Sequence, residues 1–271
     1  MRSSKPEGSG NHPAPDCSRP GDDSRGQGKI FVAGIGPGGE ADLTGRACRA
    51  IKEADLLVGY TPYIRLVKEM SCYHGQETYA TGMTREVDRV QYAVEAAGSG
   101  LRVAVVSSGD AGVYGMAGLV LEVMESSGQS APVEIIPGIP AANSAAARLG
   151  APLMQDYATI SLSDLLTPLP DILARVAAAA GADFVIVFYN PRGKNRKEPW
   201  EQALSIIKKH RRPGTPVGLV SRAGRAGESV VITSLEHIDK HEPDMLTTVI
   251  VGNSRTRVTG GRMITPRGYE F

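Results

Sequence analysis

The stretch KIFVAGIGPGGEADLT, residues 29–44, decides the fold. It opens with a short run of apolar and β-branched residues that a glycine ends, which is typical of a buried strand. A helical pattern follows the glycines, with Asp42 as the predicted N-cap. A strand that passes through a tight turn into a helix is the opening unit of an α/β sheet.

The same alternation continues along the chain. Further strands are predicted in LLVGY, LRVAVVSSGD and VEIIPG, and helices in TREVDRVQYAVEAAGSG, with Thr84 as N-cap, and GMAGLVLEVMESSG. Strands that alternate with helices predict a parallel sheet. Near residue 140 the rhythm changes, and a second unit of strands and helices begins without a flexible linker. We therefore predict an α/β fold with an N-terminal α/β domain at 29–138 and a C-terminal α/β domain at 139–271.

The first 28 residues differ from the rest because they contain no Val, Ile, Leu, Phe, Tyr or Trp. Such a segment cannot bury enough apolar surface to offset its ordering entropy, so residues 1–28 are predicted to be a disordered tail. It has no apolar core of a secretory signal, and no run in the chain reaches a membrane-spanning length. We expect a cytoplasmic protein with no membrane partner.

Composition narrows the function further. The 271 residues are 41% hydrophobic with a formal net charge of +1, which argues against a general nucleic-acid binder. Three cysteines, Cys17, Cys48 and Cys72, lie far apart, and no paired spacing suggests a bound metal. We therefore predict no metal site and a reducing compartment.

The opening loop also matches the G-x-G-x-x-G pattern of a dinucleotide-binding turn. Three features oppose that interpretation. Glu40 and Asp42 stand where a helix N-terminus would meet the phosphates, and Pro37 removes an amide donor. The second strand is followed by Thr61 and Pro62 rather than by an acidic residue for a ribose. An NAD(P)-binding oxidoreductase remains an alternative, but we interpret the glycines as a surface that a ligand can approach closely.

Loops at the carboxyl ends of strands are where α/β proteins bind ligands. Four such loops stand out: GIGPGGEADLT (34–44), SSGDAGVYG (107–115), PGIPAANSA (137–145) and FYNPRGKNRK (188–197). In the second loop, Asp110 is either a helix cap or a residue that faces a ligand.

An ordered set of motifs runs through these loops and beyond them. It comprises VAGIGPGGEADLT, GDAGVYGMA, PGIPAANSAAARLGAPL, SLSDLLTP, VFYNP, SRAGRAGE and TTVIVGNS. From Lys29 to about Arg257 the chain resembles the tetrapyrrole (class III) methyltransferases of corrin biosynthesis. SLSDLLTP, VFYNP and TTVIVGNS look like motifs of the ring-contracting C(17)-methyltransferases that act on precorrin-3B or cobalt-factor III in cobalamin biosynthesis.

The resemblance implies two α/β domains with the active site in the cleft between them, and a homodimer. It also implies S-adenosyl-L-methionine (SAM) as methyl donor, with S-adenosyl-L-homocysteine (SAH) as product. Carried over by motif, the cofactor contacts fall on Pro37, Gly109, Asp110, Ala111, Val113, Tyr114, Pro140, Ala141, Asn190, Gly218, Thr247 and Thr248.

The implied substrate is a macrocycle that bears several carboxylates, for which arginine and lysine are the natural partners. The basic residues predicted to bind it are Arg192, Lys194, Arg222 and Arg225, with Arg196, Lys197, Arg255 and Arg257 in the same motifs. For any one of them, a solvated surface position is the alternative.

Methyl transfer from a sulfonium depends mainly on positioning, which agrees with the absence of a nucleophilic triad in the sequence. Ring contraction also moves protons, so a general acid or base could assist. Asp110 and Tyr114 are the predicted catalytic residues, and Ser163, Asp164 and His74 are further candidates. A methyltransferase acting at another ring carbon and a non-catalytic tetrapyrrole-binding module are the remaining alternatives.

Overall fold

The computed structural model describes residues 27–193 and 196–270. The predicted tail lies outside the described residues apart from Gln27 and Gly28. The strands of the described part are β1 (Lys29–Gly34), β2 (Leu56–Tyr60), β3 (Glu77–Thr81), β4 (Arg102–Ser107), β5 (Val133–Ile136), β6 (Gly150–Ala151), β7 (Tyr157–Ser161), β8 (Val185–Tyr189), β9 (Pro216–Ser221), β10 (Ser229–Ser234), β11 (Thr247–Val251), β12 (Arg257–Thr259) and β13 (Arg262–Ile264). The helices are α1 (Gly45–Glu53), α2 (Thr61–Lys68), α3 (Glu86–Gly98), α4 (Ala117–Ser127), α5 (Ala141–Leu149), α6 (Leu169–Gly181) and α7 (Glu198–His210), with 3-10 turns at Glu40–Asp42 and Ile238–Lys240.

The first five strands form one parallel sheet in the order β3-β2-β4-β1-β5. Both of its faces are buried, which explains the nearly continuous apolar runs of its central strands. Ile30 and Val32 pack on one face with residues of α3 and α4, and Phe31 and Ala33 pack on the other with residues of α1 and α2. The α/β class predicted from the sequence is confirmed.

The strand order places a topological switch point between β1 and β4. After β1 the chain crosses through α1 to β2, and after β4 it crosses through α4 to β5 on the opposite side. The two helices lie on opposite faces of the sheet, so the chain leaves the carboxyl ends of β1 and β4 toward opposite faces. Open α/β sheets bind ligands outside the carboxyl ends of their strands at such a switch point.

A second sheet has the order β10-β9-β11-β8-β7 and is mixed. The β7–β8 pair is parallel, whereas β9 pairs antiparallel with β10, to which a short hairpin joins it, and β11 pairs antiparallel with both β9 and β8. Helices α6 and α7 cover one face around Phe188 and Trp200, and α5 covers the other around Leu149. The predicted boundary at 138/139 falls between the two sheets and remains a prediction.

Several local expectations need correction. The N-cap of α1 is Thr44, whose hydroxyl accepts from the amide of Ala47 at 3.1 Å, rather than Asp42. Thr84 is not a cap, since α3 begins at Glu86 and Thr84 has φ +61°. The sequence prediction also missed α2, β3 and a three-stranded sheet of β12, β13 and β6.

Candidate active site at the ends of the two sheets

The loops that follow β1 and β4 are bonded to each other. Gly36 and Gly109 exchange two backbone hydrogen bonds, with N···O distances of 3.0 and 2.8 Å. The Asp110 carboxylate then accepts from the amide of Gly112 at 2.8 Å and from that of Gly138 at 3.0 Å. Asp110 therefore joins the loop after β4 to the loop after β5, so three of the predicted ligand loops form one connected structure.

Close packing explains the glycines of these loops. A Cβ on Gly138 would lie 2.2 Å from the carbonyl oxygen of Gly109, and one on Gly34 would lie 2.7 Å from the amide nitrogen of Gly138. Gly36 has φ +66°, and its Cβ would meet the carbonyl oxygen of Asp42 at 2.9 Å. The Cβ direction of Gly36 points to neighbouring backbone, so our interpretation of that glycine as a ligand approach needs correction.

The same loop lacks the geometry of a dinucleotide turn. In such a turn the third glycine opens the helix that faces the pyrophosphate. Here a 3-10 turn occupies Glu40–Asp42, and α1 begins only at Gly45. The Glu40 carboxylate accepts from the hydroxyl and from the amide of Ser71, which together lower the pKa of Glu40 and keep a negative charge beside the loop. The oxidoreductase alternative therefore has no structural support in this loop.

A cavity of about 190 Å³ opens between the loops of the first sheet and those of the second. We call it the inter-sheet cavity. Its lining includes predicted contacts from every motif of the set except SLSDLLTP: Pro37, Gly109, Asp110, Val113, Tyr114, Ala141, Asn190, Arg222, Arg225, Thr247 and Thr248. The fold thus brings together residues more than two hundred positions apart; that they bind SAM or substrate remains a prediction.

Other predicted residues lie elsewhere. Ala111 is fully buried in the core of the first sheet, and Gly218 faces Leu149, whose Cδ1 would lie 2.4 Å from a Cβ there. Pro140 is the N-cap residue of α5 and precedes the lining residue Ala141. Lys194 lies outside the described residues.

Arg192 lines a different and larger cavity of about 600 Å³ beside α7. Its guanidinium pairs with Glu242 at 3.0 Å, and the walls also carry Lys208, which pairs with Asp239 at 2.7 Å. The charges of this second cavity thus largely pair with each other. We favour the smaller inter-sheet cavity as the candidate site because the switch-point loops converge there.

Tyr114 and Tyr189 form an aromatic wall of the inter-sheet cavity, with ring centroids 5.4 Å apart. The Tyr114 hydroxyl donates to the carbonyl of Thr159 at 3.0 Å and accepts from the amide of Ser161 at 3.1 Å. Tyr114 thereby connects the first sheet to β7. Both interactions engage backbone, so the geometry favours a positioning role for the predicted catalytic hydroxyl.

The Tyr189 hydroxyl accepts from the amide of Ala142, in the first turn of α5, at 2.8 Å. Among the described residues, no acceptor receives the proton of the Tyr189 hydroxyl. The O–H is therefore able to donate into the inter-sheet cavity. Burial raises the pKa of Tyr189, so the hydroxyl stays protonated at neutral pH. Tyr189 lies within the motif VFYNP but was not among the predicted site residues.

Arg225 reaches from the β9–β10 hairpin across to the first sheet. It donates to the carbonyl of Pro37 and, at 2.8 Å, to the hydroxyl of Ser108, and it lies 5.8 Å from the ring centroid of Tyr63. Burial lowers the pKa of Arg225. No carboxylate of the described residues pairs with it, so the cavity wall holds a cation without an anionic partner.

The hairpin is anchored a second time through Glu228. This carboxylate accepts from the amide of Gly224 at 2.6 Å and from Arg148 of α5. The Gly224 amide and Arg148 together hold the pKa of Glu228 below its ordinary value. Glu228 therefore fixes the hairpin to α5 of the second sheet, whereas Arg225 of the same motif, SRAGRAGE, contacts the loops of the first sheet.

A hydroxyl network underlies the floor of the inter-sheet cavity. Thr247 donates to Asp244 at 2.7 Å and lies 2.6 Å from the hydroxyl of Ser221. Asp244 also pairs with Arg222 at 3.6 Å. The Thr247 hydroxyl is therefore occupied, and Arg222 is held at the edge of the cavity.

Backbone strain is concentrated at the same place. Tyr114, Asn190 and Arg222 have φ values of +51°, +52° and +52°, and all three line the inter-sheet cavity. Left-handed conformations are costly for residues with side chains, and they cluster at functional sites. This signal is independent of the motifs.

The remaining candidates lie outside the cavity lining. Asp164 pairs with Arg196 at 3.2 Å, and His74 is exposed on the connection between α2 and β3. Ser163 donates its amide to Ser161. The described part of the chain holds no cluster of three or more His, Cys, Asp or Glu side chains that could bind a metal.

Sequence reasoning missed seven lining residues, namely Tyr63, Ser108, Tyr189, Val220, Ala223, Met245 and Leu246. Ser108 and Tyr189 stand inside motifs that we quoted, so their signal was available. Tyr63 lies on the missed helix α2, and Met245 precedes β11 in a loop without a motif.

In residues 27–193 and 196–270, no helix combines the length and apolar character needed to cross a bilayer.

Comparison with known proteins agrees with the geometry. The family model described as Tetrapyrrole (Corrin/Porphyrin) Methylases matches residues 29–239. The chain is 51% identical over 248 residues to the cobalt-factor III methyltransferase of Priestia megaterium, and this match covers 90% of the chain but 46% of that protein. It is 48% identical over 242 residues to the probable cobalt-factor III C(17)-methyltransferase of Salmonella typhimurium, covering 89% of the chain and 100% of that protein.

A solved structure supports the fold. The methyltransferase CobJ superimposes with a TM-score of 0.80 at 36% identity, covering 88% of this chain and 100% of that chain. The chain thus spans the full length of two similar proteins and less than half of a third.

Proposed function

The chain belongs to the tetrapyrrole (corrin/porphyrin) methylase family, and from that membership we propose that it methylates carbon 17 of cobalt-factor III and contracts the macrocycle, with SAM as methyl donor. The observation that carries this proposal is the 48% identity along the whole Salmonella protein, whose name states that activity. The Priestia relative carries the same substrate in its name. The cobalt-bearing substrate is therefore preferred to metal-free precorrin-3B.

The inter-sheet cavity suits the proposed donor. A sulfonium is a cation, and the cavity offers the faces of Tyr114 and Tyr189 together with the carboxylate of Asp110. Gly109 has φ +67°, which favours glycine, and a Cβ there would lie in van der Waals contact with the amide nitrogen of Ala141 at 3.7 Å. When bound, SAM would supply an electrophilic methyl group for in-line displacement.

The residues of the chain then act mainly by positioning. Asp110 holds the loops after β4 and β5 in one arrangement, and Tyr114 holds the first sheet to β7. Arg222 and Arg225 supply positive charge where a carboxylate-bearing macrocycle would lie. We retain Asp110 and Tyr114 as proposed site residues, but we assign them to positioning before proton transfer.

The Tyr189 hydroxyl is the better placed proton donor. It faces the inter-sheet cavity with its proton unassigned among the described residues, whereas both hydrogen bonds of Tyr114 engage backbone. Any proton delivered as the ring contracts is proposed to come from Tyr189.

The test is a product assay. We expect the protein, incubated with isotopically methyl-labelled SAM and cobalt-factor III, to give SAH and a pigment that carries one additional methyl group on carbon 17. The same incubation with precorrin-3B serves as the comparison. A label on another ring carbon would show that the chain methylates a different position of the macrocycle. Failure of both pigments to accept a methyl group would reject the proposal.

We further propose a homodimer that works in the cytoplasm, as the family resemblance implies. Sedimentation at micromolar concentration should give twice the mass of the 28.6 kDa chain. A monomer that retains full activity would reject the dimer without affecting the proposed reaction.

A further inference from the structure

Two adjacent leucines are exposed on the loop between β7 and α6. Leu165 is 75% exposed and Leu166 is 99% exposed. Single exposed apolar residues are ordinary on protein surfaces and need no explanation. Two consecutive leucines that both point into solvent leave an apolar surface with no partner in the described part of the chain.

The base of this loop is fixed by polar contacts. Arg196 donates to the carbonyl of Leu162 and pairs with the carboxylate of Asp164 at 3.2 Å. The amide of Ser163 donates to the hydroxyl of Ser161 at 3.2 Å. The two leucines therefore extend from an anchored loop, which limits the entropy lost when they contact a ligand.

The anchor places the loop at the rim of the inter-sheet cavity. Arg196 Nη2 lies 3.4 Å from the carbonyl oxygen of Asn190 and 3.6 Å from the sulfur of Met245, and both residues line the cavity. Leu246 beside Met245 is also apolar and 47% exposed. The part of the cavity rim next to the loop is therefore also apolar.

We propose that Leu165 and Leu166 pack against the face of the tetrapyrrole macrocycle and hold it over the inter-sheet cavity. This inference rests on the proposed function and deepens it, because it assigns a substrate-contacting surface. The surfaces are complementary in kind: Arg222 and Arg225 offer positive charge for peripheral carboxylates, and the leucines offer an apolar surface for the flat ring. The occupant is the substrate rather than a second copy of the chain, since Arg196 ties the base of the loop to the lining residues Asn190 and Met245.

The test compares three variants of the full chain. Leu165→Ser/Leu166→Ser removes the apolar surface, Leu165→Met/Leu166→Met preserves it, and Leu121→Ser changes an exposed leucine on α4 as a matched control. Each is titrated with cobalt-factor III by absorbance, assayed for KM and kcat, and titrated with SAH. The serine pair should raise the Kd and KM for the pigment at least about tenfold. Its kcat and SAH affinity should stay within about twofold of wild type, and the other two variants should behave as wild type.

Each other outcome is informative. Unchanged pigment Kd and KM in the serine pair, with wild type active, would overturn the inference and leave the proposed function intact. Loss of the dimer at unchanged pigment affinity would assign the leucines to a second copy of the chain and also overturn it. Wild type that binds the pigment but transfers no methyl group would reject only the proposed function, while the leucines could still be tested by binding. A wild type that does not bind the pigment would reject both.

Discussion

At the residue scale, the polar side chains of the inter-sheet cavity mostly hold backbone in place. Asp110 accepts from two amides, and Tyr114 bonds a carbonyl and an amide of β7. Sequence motifs identified both residues, because their loops are marked by glycine and follow apolar strands. The motifs could not say where the side chains point, since that depends on loops that are distant in sequence. For the same reason Arg192 was predicted in the site but faces another cavity.

Tyr114 provides the first prediction. Tyr114→Phe keeps the ring against Tyr189 but removes the hydroxyl that bridges Thr159 and Ser161, which should lower the free energy of unfolding by about 1 kcal/mol. If the role is positioning, kcat should fall with an unchanged pH profile. Urea unfolding and a pH series of the methyl-transfer rate measure both effects. Disappearance of one limb of the pH profile would instead make Tyr114 a catalytic acid or base.

Gly36 provides the second prediction. Its φ of +66° and the 2.9 Å approach of a Cβ to the carbonyl oxygen of Asp42 should make Gly36→Ala destabilising by at least ~1–2 kcal/mol. Gly118→Ala is the matched control, because this exposed glycine of α4 has open space and the change should stabilise by ~0.5–1 kcal/mol. Urea unfolding compares the two. A Gly36→Ala protein of wild-type stability that fails to bind SAH would restore the interpretation of Gly36 as a ligand approach.

At the element scale, apolar periodicity was sufficient for the central strands and for helices with a strong pattern. Helix α4 (Ala117–Ser127), for example, lies within the predicted segment GMAGLVLEVMESSG. The helix α2 starts directly at the end of β2 with Thr61-Pro62, and no loop marks its beginning. The edge strand β3 is largely solvent-facing and therefore lacks an apolar run. The pairing of Gly150 with Met263 is a long-range contact that no local pattern encodes.

The β9–β10 hairpin joins the two sheets, and the contacts of Glu228 make its attachment sensitive to pH. The folded state depresses the pKa of Glu228, so the stabilisation is complete above the unfolded pKa of about 4.3 and is lost as the pH falls below it. Glu228→Gln should therefore lower Tm at pH 7, and the difference from wild type should shrink only as the pH falls below about 4, through the depressed folded-state pKa of Glu228. Calorimetry over this range measures it.

Glu122→Gln is the control for that series, because Glu122 is an exposed residue of α4. It should leave Tm unchanged at each pH. A Glu228→Gln deficit that persists undiminished at about pH 2–3 would mean that the lost shape of the side chain, rather than its charge, causes the effect.

At the scale of the whole molecule, the candidate site exists because loops of both sheets line one cavity. The first sheet contributes its switch-point loops, and the second contributes the ends of β8 and β9 and the approach to β11. The sequence predicted this convergence through the motif-bearing loops at the carboxyl ends of strands and through the cleft that the family resemblance implies. It could not predict the width of the cavity, which depends on how the hairpin and the loop after β4 meet.

That width leads to the last prediction. At about 190 Å³ the inter-sheet cavity is smaller than the ~300–1,000 Å³ typical of pockets for ligands of cofactor size. The hairpin at 222–228 and the segment 245–248 should therefore move and then become ordered around SAH. Hydrogen exchange should slow in these segments when SAH is added, and at one hundred times its Kd the folded state should gain ~2.7 kcal/mol.

Exchange in α6, on the far face of the second sheet, serves as the internal control. Equal protection of α6 and the hairpin would indicate global stabilisation rather than closure of the cavity, and stabilisation by NADH instead of SAH would reject the cofactor assignment.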